Sequence, residues 1–182
     1  MRTTRPLLPW LLVPALPLLV PLIAMRFTPE VNWTGFDFFA AYVLFAGAGL
    51  TYRFVTSGSA DAAYRAAAAL AVLGGLALIW VNLAVGFIGD EDNPANLLYG
   101  GVLGVGALGA VLAGLEPRGM ARTLFAVAAT QFLVPIVAWL VWRPNFDPGV
   151  AKIFLLNFAW VLLFTVSGLL FGRAARRSAA RD

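Results

Sequence analysis

The chain has no cysteine, no histidine and little charge of either sign. Without cysteine there is no disulfide and no thiolate nucleophile, and without histidine the usual ligand sets of zinc, haem and copper are missing too. Serine–histidine chemistry falls with the same absence. Charged residues make up 12% of the 182 positions, about half of what a soluble domain carries. Apolar residues make up 61%, and mean hydropathy is +0.85. So little polar surface cannot clothe a globule in water, and the expected solvent is lipid.

Six runs approach the ~20 apolar residues that a spanning helix needs. They are Leu7 to Met25, Phe36 to Val55, Ala66 to Ile88, Leu97 to Leu115, Thr123 to Trp142 and Ile153 to Gly172. Only the second holds charge, Asp37 and Arg53 near its two ends. The separators are rich in Pro, Gly, Asn and Asp, which is turn chemistry. None is long enough for a soluble domain. The expected fold is all-α: a polytopic membrane protein, one transmembrane domain over residues 1–182, with six helices and a basic tail at 173–182.

Orientation follows from the excess of Lys and Arg on cytoplasmic loops. One side of the six-span arrangement holds Arg2, Arg5, Arg53, Arg65, Arg118, Arg122, Arg173, Arg176, Arg177 and Arg181. The other holds Arg26, Arg143 and Lys152. Both termini are therefore expected in the cytoplasm. Read as a signal peptide, the first run has Arg2 and Arg5 as an n-region, but Pro6, Pro9, Pro14, Pro17 and Pro21 break its apolar core. No A-x-A site follows, so a kinked span is the preferred reading.

The basic pI near 10.1 has a topological source rather than a nucleic-acid one, since most arginines stand at span ends. Only Arg173, Arg176, Arg177 and Arg181 are concentrated, and a helix would align them as one stripe. That stripe reads as an orientation signal or as a dock for anionic lipid headgroups.

Gly104-Val-Gly-Ala-Leu-Gly109 matches the dinucleotide pattern G-x-G-x-x-G in an apolar span with no preceding strand. Helix packing is the better use of its glycines. Gly100 and Gly104 are four apart, as are successive members of Gly106, Ala110 and Gly114, and small residues so spaced let backbones approach. The fourth span is expected to be the most tightly packed. An aspartyl dyad needs two carboxylates at membrane depth, and only Asp37 comes near. No P-loop is present, so neither an enzyme nor a cofactor is expected.

Polar groups inside the spans are few. Asn82, Gln131 and Asn157 are the main ones, with Asp37 at an outer end. Counted from the outer ends of the runs, Asn82 is about 9 Å deep, Asn157 about 6 Å and Gln131 about 16 Å. Two readings fit: hydrogen bonds between helices, or a polar pocket open to the outer side. Asp90, Glu91, Asp92 and Asn93 form an acidic outer loop. It reads either as a cation site or as a loop in which Asn93 caps the fourth span with Pro94 at its first position. Aromatics near span ends, Tyr99 among them, read as the interfacial belt.

The run from Trp80 to Tyr99, WVNLAVGFIGDEDNPANLLY, resembles an uncharacterised family of small bacterial inner-membrane proteins. Glu30-Val-Asn-Trp33, Phe36-Asp-Phe38 and Pro117 to Arg122 resemble it as well. The resemblance implies a bacterial inner-membrane location and carries over no functional residue. The leading expectation is a small transporter, channel or binding subunit. The alternative is a structural subunit, in which the fourth span meets a membrane partner or a second copy.

Overall fold

The computed structural model describes residues 12–89, 92–142 and 148–180. Its regular elements are all helical: α1 (Leu19–Ala24), α2 (Gly35–Thr56), α3 (Ala62–Ala84), α4 (Leu98–Leu112), α5 (Pro117–Trp142) and α6 (Pro148–Ala179). Short 3-10 turns at Val13–Leu18 and Pro94–Leu97 lead into α1 and α4. Five segments are long and apolar enough to cross a membrane: α2, α3, α4 with its leading turn, α5 and α6. Val13–Ala24 is a shorter apolar helix. Pro17 inside the 3-10 turn and Pro21 inside α1 each remove a backbone donor that one continuous α-helix would use, while Pro14 stands in the first turn. Of the expected first run, the described residues show only this shorter helix, and Leu7 to Leu11 lie outside them.

The chain divides into two compact units, Met1–Phe54 and Val55–Asp182. In the first, α2 starts at a capping box. Thr34 N–H and Oγ1 both donate to Asp37 Oδ2, at 2.6 and 2.8 Å, while Asp37 N–H returns a bond to Thr34 Oγ1 at 3.3 Å. Trp33 packs edge-on against Phe38, 5.3 Å between ring centres, closing the same helix start from its apolar side.

In the second unit α6 packs on α5 and on α3, and α5 packs on α4. Two bonds fix α3 against α6: Ser167 Oγ donates to the Ala67 carbonyl at 2.8 Å, and Trp160 Nε1 to that of Gly74 at 3.0 Å. Stepping seven residues forward on α3 is stepping seven back on α6, so the two run antiparallel, paired two turns apart. A Cβ at Gly74 would stand 2.6 Å from Leu163 Cδ2 and 3.0 Å from Phe164 Cε1, so a larger residue at this crossing would require those α6 side chains to shift.

Two expectations are corrected. The fourth run is not the most enclosed: 17% of Pro94–Leu112 is buried against 39% of Pro117–Trp142. Gly100 and Gly104 lie exposed, with nothing within 4 Å of an added Cβ, and Gly106 meets only Val127 Cγ2 at 3.5 Å. Gly114 serves the helix end with φ +55°. The close approach to α5 is made instead by Gly109 against Thr123, and by Gly119 against Ala113. The reason is rotational: the four-residue repeat puts Gly100 and Gly104 on one face, and α5 takes another. The third run also stops early, at Ala84 rather than Ile88. Gly86 takes φ +69° and its N–H returns to the Val81 and Asn82 carbonyls, a left-handed stop that glycine tolerates.

Opposite the 85–93 connection, the ends of three helices are tied together. Tyr64 donates its hydroxyl to the Leu115 carbonyl at 2.7 Å and packs edge-on against Phe171. Leu115 itself adopts φ +62°. Asp61 caps α3 by accepting from Tyr64 N–H at 2.9 Å, and Arg177 lies 3.6 Å from its Oδ2. The Tyr64 N–H bond, aided by Ala63 N–H and Arg177, holds the Asp61 carboxyl below 3.8 despite an opposing desolvation. A lowered folded value stabilises above the ordinary carboxylate range and is lost as pH falls through it. Asp61→Ala is expected to cost about 1 kcal/mol at neutral pH. The gap between variant and parent should close on acidification below 3.8, read from thermal unfolding across pH.

Candidate functional site

Gln131 of α5 and Asn157 of α6 meet inside the bundle. Both are buried, Gln131 completely and Asn157 at 2% exposure. Gln131 Nε2 donates to Asn157 Oδ1 at 2.8 Å, and the Tyr99 hydroxyl of α4 donates to the same oxygen at 2.9 Å. Asn157 Nδ2 donates to the Ile153 carbonyl at 2.8 Å. Two helices thus each send one donor to a single acceptor oxygen on a third.

The network fixes its own amide orientations. Turning Gln131 over would set its oxygen against Asn157 Oδ1, acceptor against acceptor. Gln131 Oε1 is therefore left over, and it is buried without a hydrogen-bond donor among the described residues. Pro135 deepens that imbalance. It lies inside α5 and has no N–H to return to the Gln131 carbonyl four residues earlier. One residue in mid-helix presents two acceptors whose regular donors are missing.

A second group of contacts closes over Tyr99. Asn96 Oδ1 accepts from the N–H groups of Phe87 and Ile88, both at 3.0 Å, and its Nδ2 donates to the Ile88 carbonyl at 3.3 Å. This clamp turns Phe87 inward. Its ring lies 4.7 Å from Tyr99 and 5.0 Å from Trp160, centre to centre.

Asn82, Asp37 and Asn93, also singled out by sequence, have local partners. Asn82 lies in the last turn of α3, about 3 Å from its end rather than 9 Å deep, because the helix stops at Ala84. Its Nδ2 donates to the Leu78 carbonyl at 3.3 Å, and its Oδ1 is a second buried oxygen without a donor among the described residues. Asp37 belongs to the Met1–Phe54 unit, where its carboxylate caps α2. Asn93 Oδ1 accepts from Ala95 N–H at 3.0 Å with Pro94 at the first position of the turn, which is the capping geometry its sequence suggested. Asp92 is exposed, whereas Asp90 and Glu91 lie outside the described residues. Among the described residues no three acidic side chains gather as a metal site would require. Arg173, Arg176 and Arg177 are exposed on the last turns of α6, and Arg181 lies outside the described residues.

Sequence reasoning missed Tyr99 and Asn96. Tyr99 stood near a run end and was assigned to the interfacial belt, although a buried hydroxyl always needs a partner. Asn96 read as one more turn residue beside Asn93. Compared with protein-family models, curated proteins and solved structures, the chain matches none of them.

Proposed function

We propose that this is a six-span inner-membrane protein with both termini in the cytoplasm, and that it works by binding rather than catalysis. The site is the Tyr99–Gln131–Asn157 cluster, serving a small transporter, channel or binding subunit. One observation carries this reading: Gln131 Oε1 is buried with no donor among the described residues, four residues before a proline that withholds a backbone donor as well. In lipid an unmatched polar group is costly, and intramembrane polar groups face bundle interiors or pathways.

Thermal unfolding of the purified protein against ions, small polar solutes and membrane lipids tests the reading. A ligand at 100 times its Kd should raise the midpoint by on the order of 5 °C, and Gln131→Leu should abolish that shift. If nothing shifts the parent and Gln131→Leu merely stabilises it, the cluster is structural glue.

A second reading is supported by α4. Gly100, Gly104, Leu108 and Val111 form an exposed face of this helix, which suits a membrane partner or a second copy. The exposed arginines of α6 suit anionic lipid headgroups in either case.

A further inference from the structure

Phe132 of α5 and Phe154, Leu155 and Phe158 of α6 are among the walls of an open groove of about 360 Å³. Phe132, Leu155 and Phe158 are each at least half exposed, so the groove opens on the outside of the helix pair. For a chain that spans a membrane, that side faces lipid. Both walls continue along their helices. On α5, Phe132, Phe125 and Arg118 are spaced by seven residues, about two turns. On α6, Leu155, Leu162, Leu169 and Arg176 recur at the same spacing. Phe125, Leu162 and Leu169 are exposed. Phe125 also marks the seam between the helices, since a Cβ added at Gly168 of α6 would stand 3.3 Å from its Cε1.

The two helices run antiparallel, because Gln131 meets Asn157 whereas the earlier Ala121 and Phe125 meet the later Gly168. The start of α5 and the end of α6 are therefore neighbours, and that end is basic. Arg118, Arg122, Arg173 and Arg176 are all exposed. Among the described residues the ion pair formed here is that of Arg177 with Asp61, which leaves these four unpaired. Glu116 precedes Arg118, so four cations stand against one free acid. Arg118 and Arg122 occupy the first two turns of α5, whose first turn holds no acidic residue. Cations at the positive end of a helix dipole are disfavoured, and an anion beside them offsets that cost.

The spacing fits one leaflet. Phe132 and Arg118 are about 21 Å apart along α5, which is half of the roughly 40–45 Å of a bilayer with its headgroup regions. Arginines at the headgroup level put the groove near the midplane, where the acyl chains of that leaflet end.

We infer that an anionic phospholipid lies along the α5–α6 seam. Its phosphate sits among Arg118, Arg122, Arg173 and Arg176. One acyl chain follows Phe125 and Leu169, and its end enters the groove. A zwitterionic lipid brings its own cation to the arginines and is the weaker match. The inference rests on the reading that the arginines of α6 meet headgroups, and is independent of the Gln131 cluster. It adds the second helix, the pose of the lipid and the selectivity for its charge.

Photolabelling of the full chain in phosphatidylcholine nanodiscs tests it. The probes are traces of phosphatidylglycerol or phosphatidylcholine with a diazirine at the end of one acyl chain. Peptides covering residues 154–161 should take up at least tenfold more of the phosphatidylglycerol probe, at about fivefold per arginine near the headgroups. Moving the diazirine to the carbonyl end of the chain should move the label toward Phe125 and Leu169. Arg118→Gln with Arg122→Gln should lower labelling by phosphatidylglycerol on the order of 20-fold. Arg26→Gln, away from the seam, should leave it unchanged. Equal labelling by both probes, or a preference indifferent to the α5 pair, overturns the inference. If Arg173→Gln with Arg176→Gln alone removes the preference, headgroup binding by α6 stands without the seam site. If neither pair matters, both fall.

Discussion

Asn157→Leu is expected to lower stability by about 2–5 kcal/mol, three interhelical or backbone bonds at roughly 0.6–1.7 kcal/mol each. Those bonds run to Tyr99, Gln131 and Ile153. Loss of the shared oxygen also strands the Tyr99 hydroxyl and the Gln131 amide inside a dry bundle, where water cannot replace it. The measurement is reversible unfolding in detergent or bicelles. A double variant, Asn157→Leu with Gln131→Leu, should be less destabilised than the single change, because removing both partners leaves fewer unmatched groups. A single-variant loss under about 0.5 kcal/mol would mean that the three bonds do not form as described.

Gly119→Leu should be about as damaging, at about 3 kcal/mol or a midpoint lowered by on the order of 6–12 °C. A Cβ there would stand 2.7 Å from Ala113 Cβ and 3.0 Å from Ala113 Cα, and backbone cannot step aside. The turn between α4 and α5 is short, so neither helix can back away without moving the other. Gly109→Leu should follow the same pattern, because Thr123 blocks that position and its Oγ1 is held by the Gly119 carbonyl at 3.1 Å. Gly100→Leu and Gly104→Leu are the controls. With open space around both, each should change the monomer's stability by less than about 0.5 kcal/mol. Loss of a co-purifying partner or of a dimer in those two variants, at unchanged monomer stability, would favour the partner-binding reading.

Much of this was legible in the sequence. Composition and run length determined an all-helical chain with apolar segments of spanning length, because backbone groups in lipid must be satisfied within the segment. Asn93 with Pro94 announced a helix start, since a short amide side chain and a missing N–H both suit a first turn. The basic segment after Gly172 was readable as a stripe and continues α6 to Ala179.

Only the tertiary structure decided which faces meet. A soluble helix marks its inner face by the contrast of apolar against polar residues. These helices are apolar nearly all round, and lipid is as apolar as leucine, so that contrast is absent. Periodicity placed Gly100 and Gly104 on one face yet could not say that α5 would choose Gly109. It placed Gln131 and Asn157 inside without showing that they share an oxygen with Tyr99, 58 residues from Asn157 along the chain. Asn82 was misjudged in depth because a glycine at φ +69° ended α3 four residues early. The sequence by itself determined which residues could not face lipid alone. The packing of α3, α4, α5 and α6 decided which partners they found, and left Gln131 Oε1 without one among the described residues.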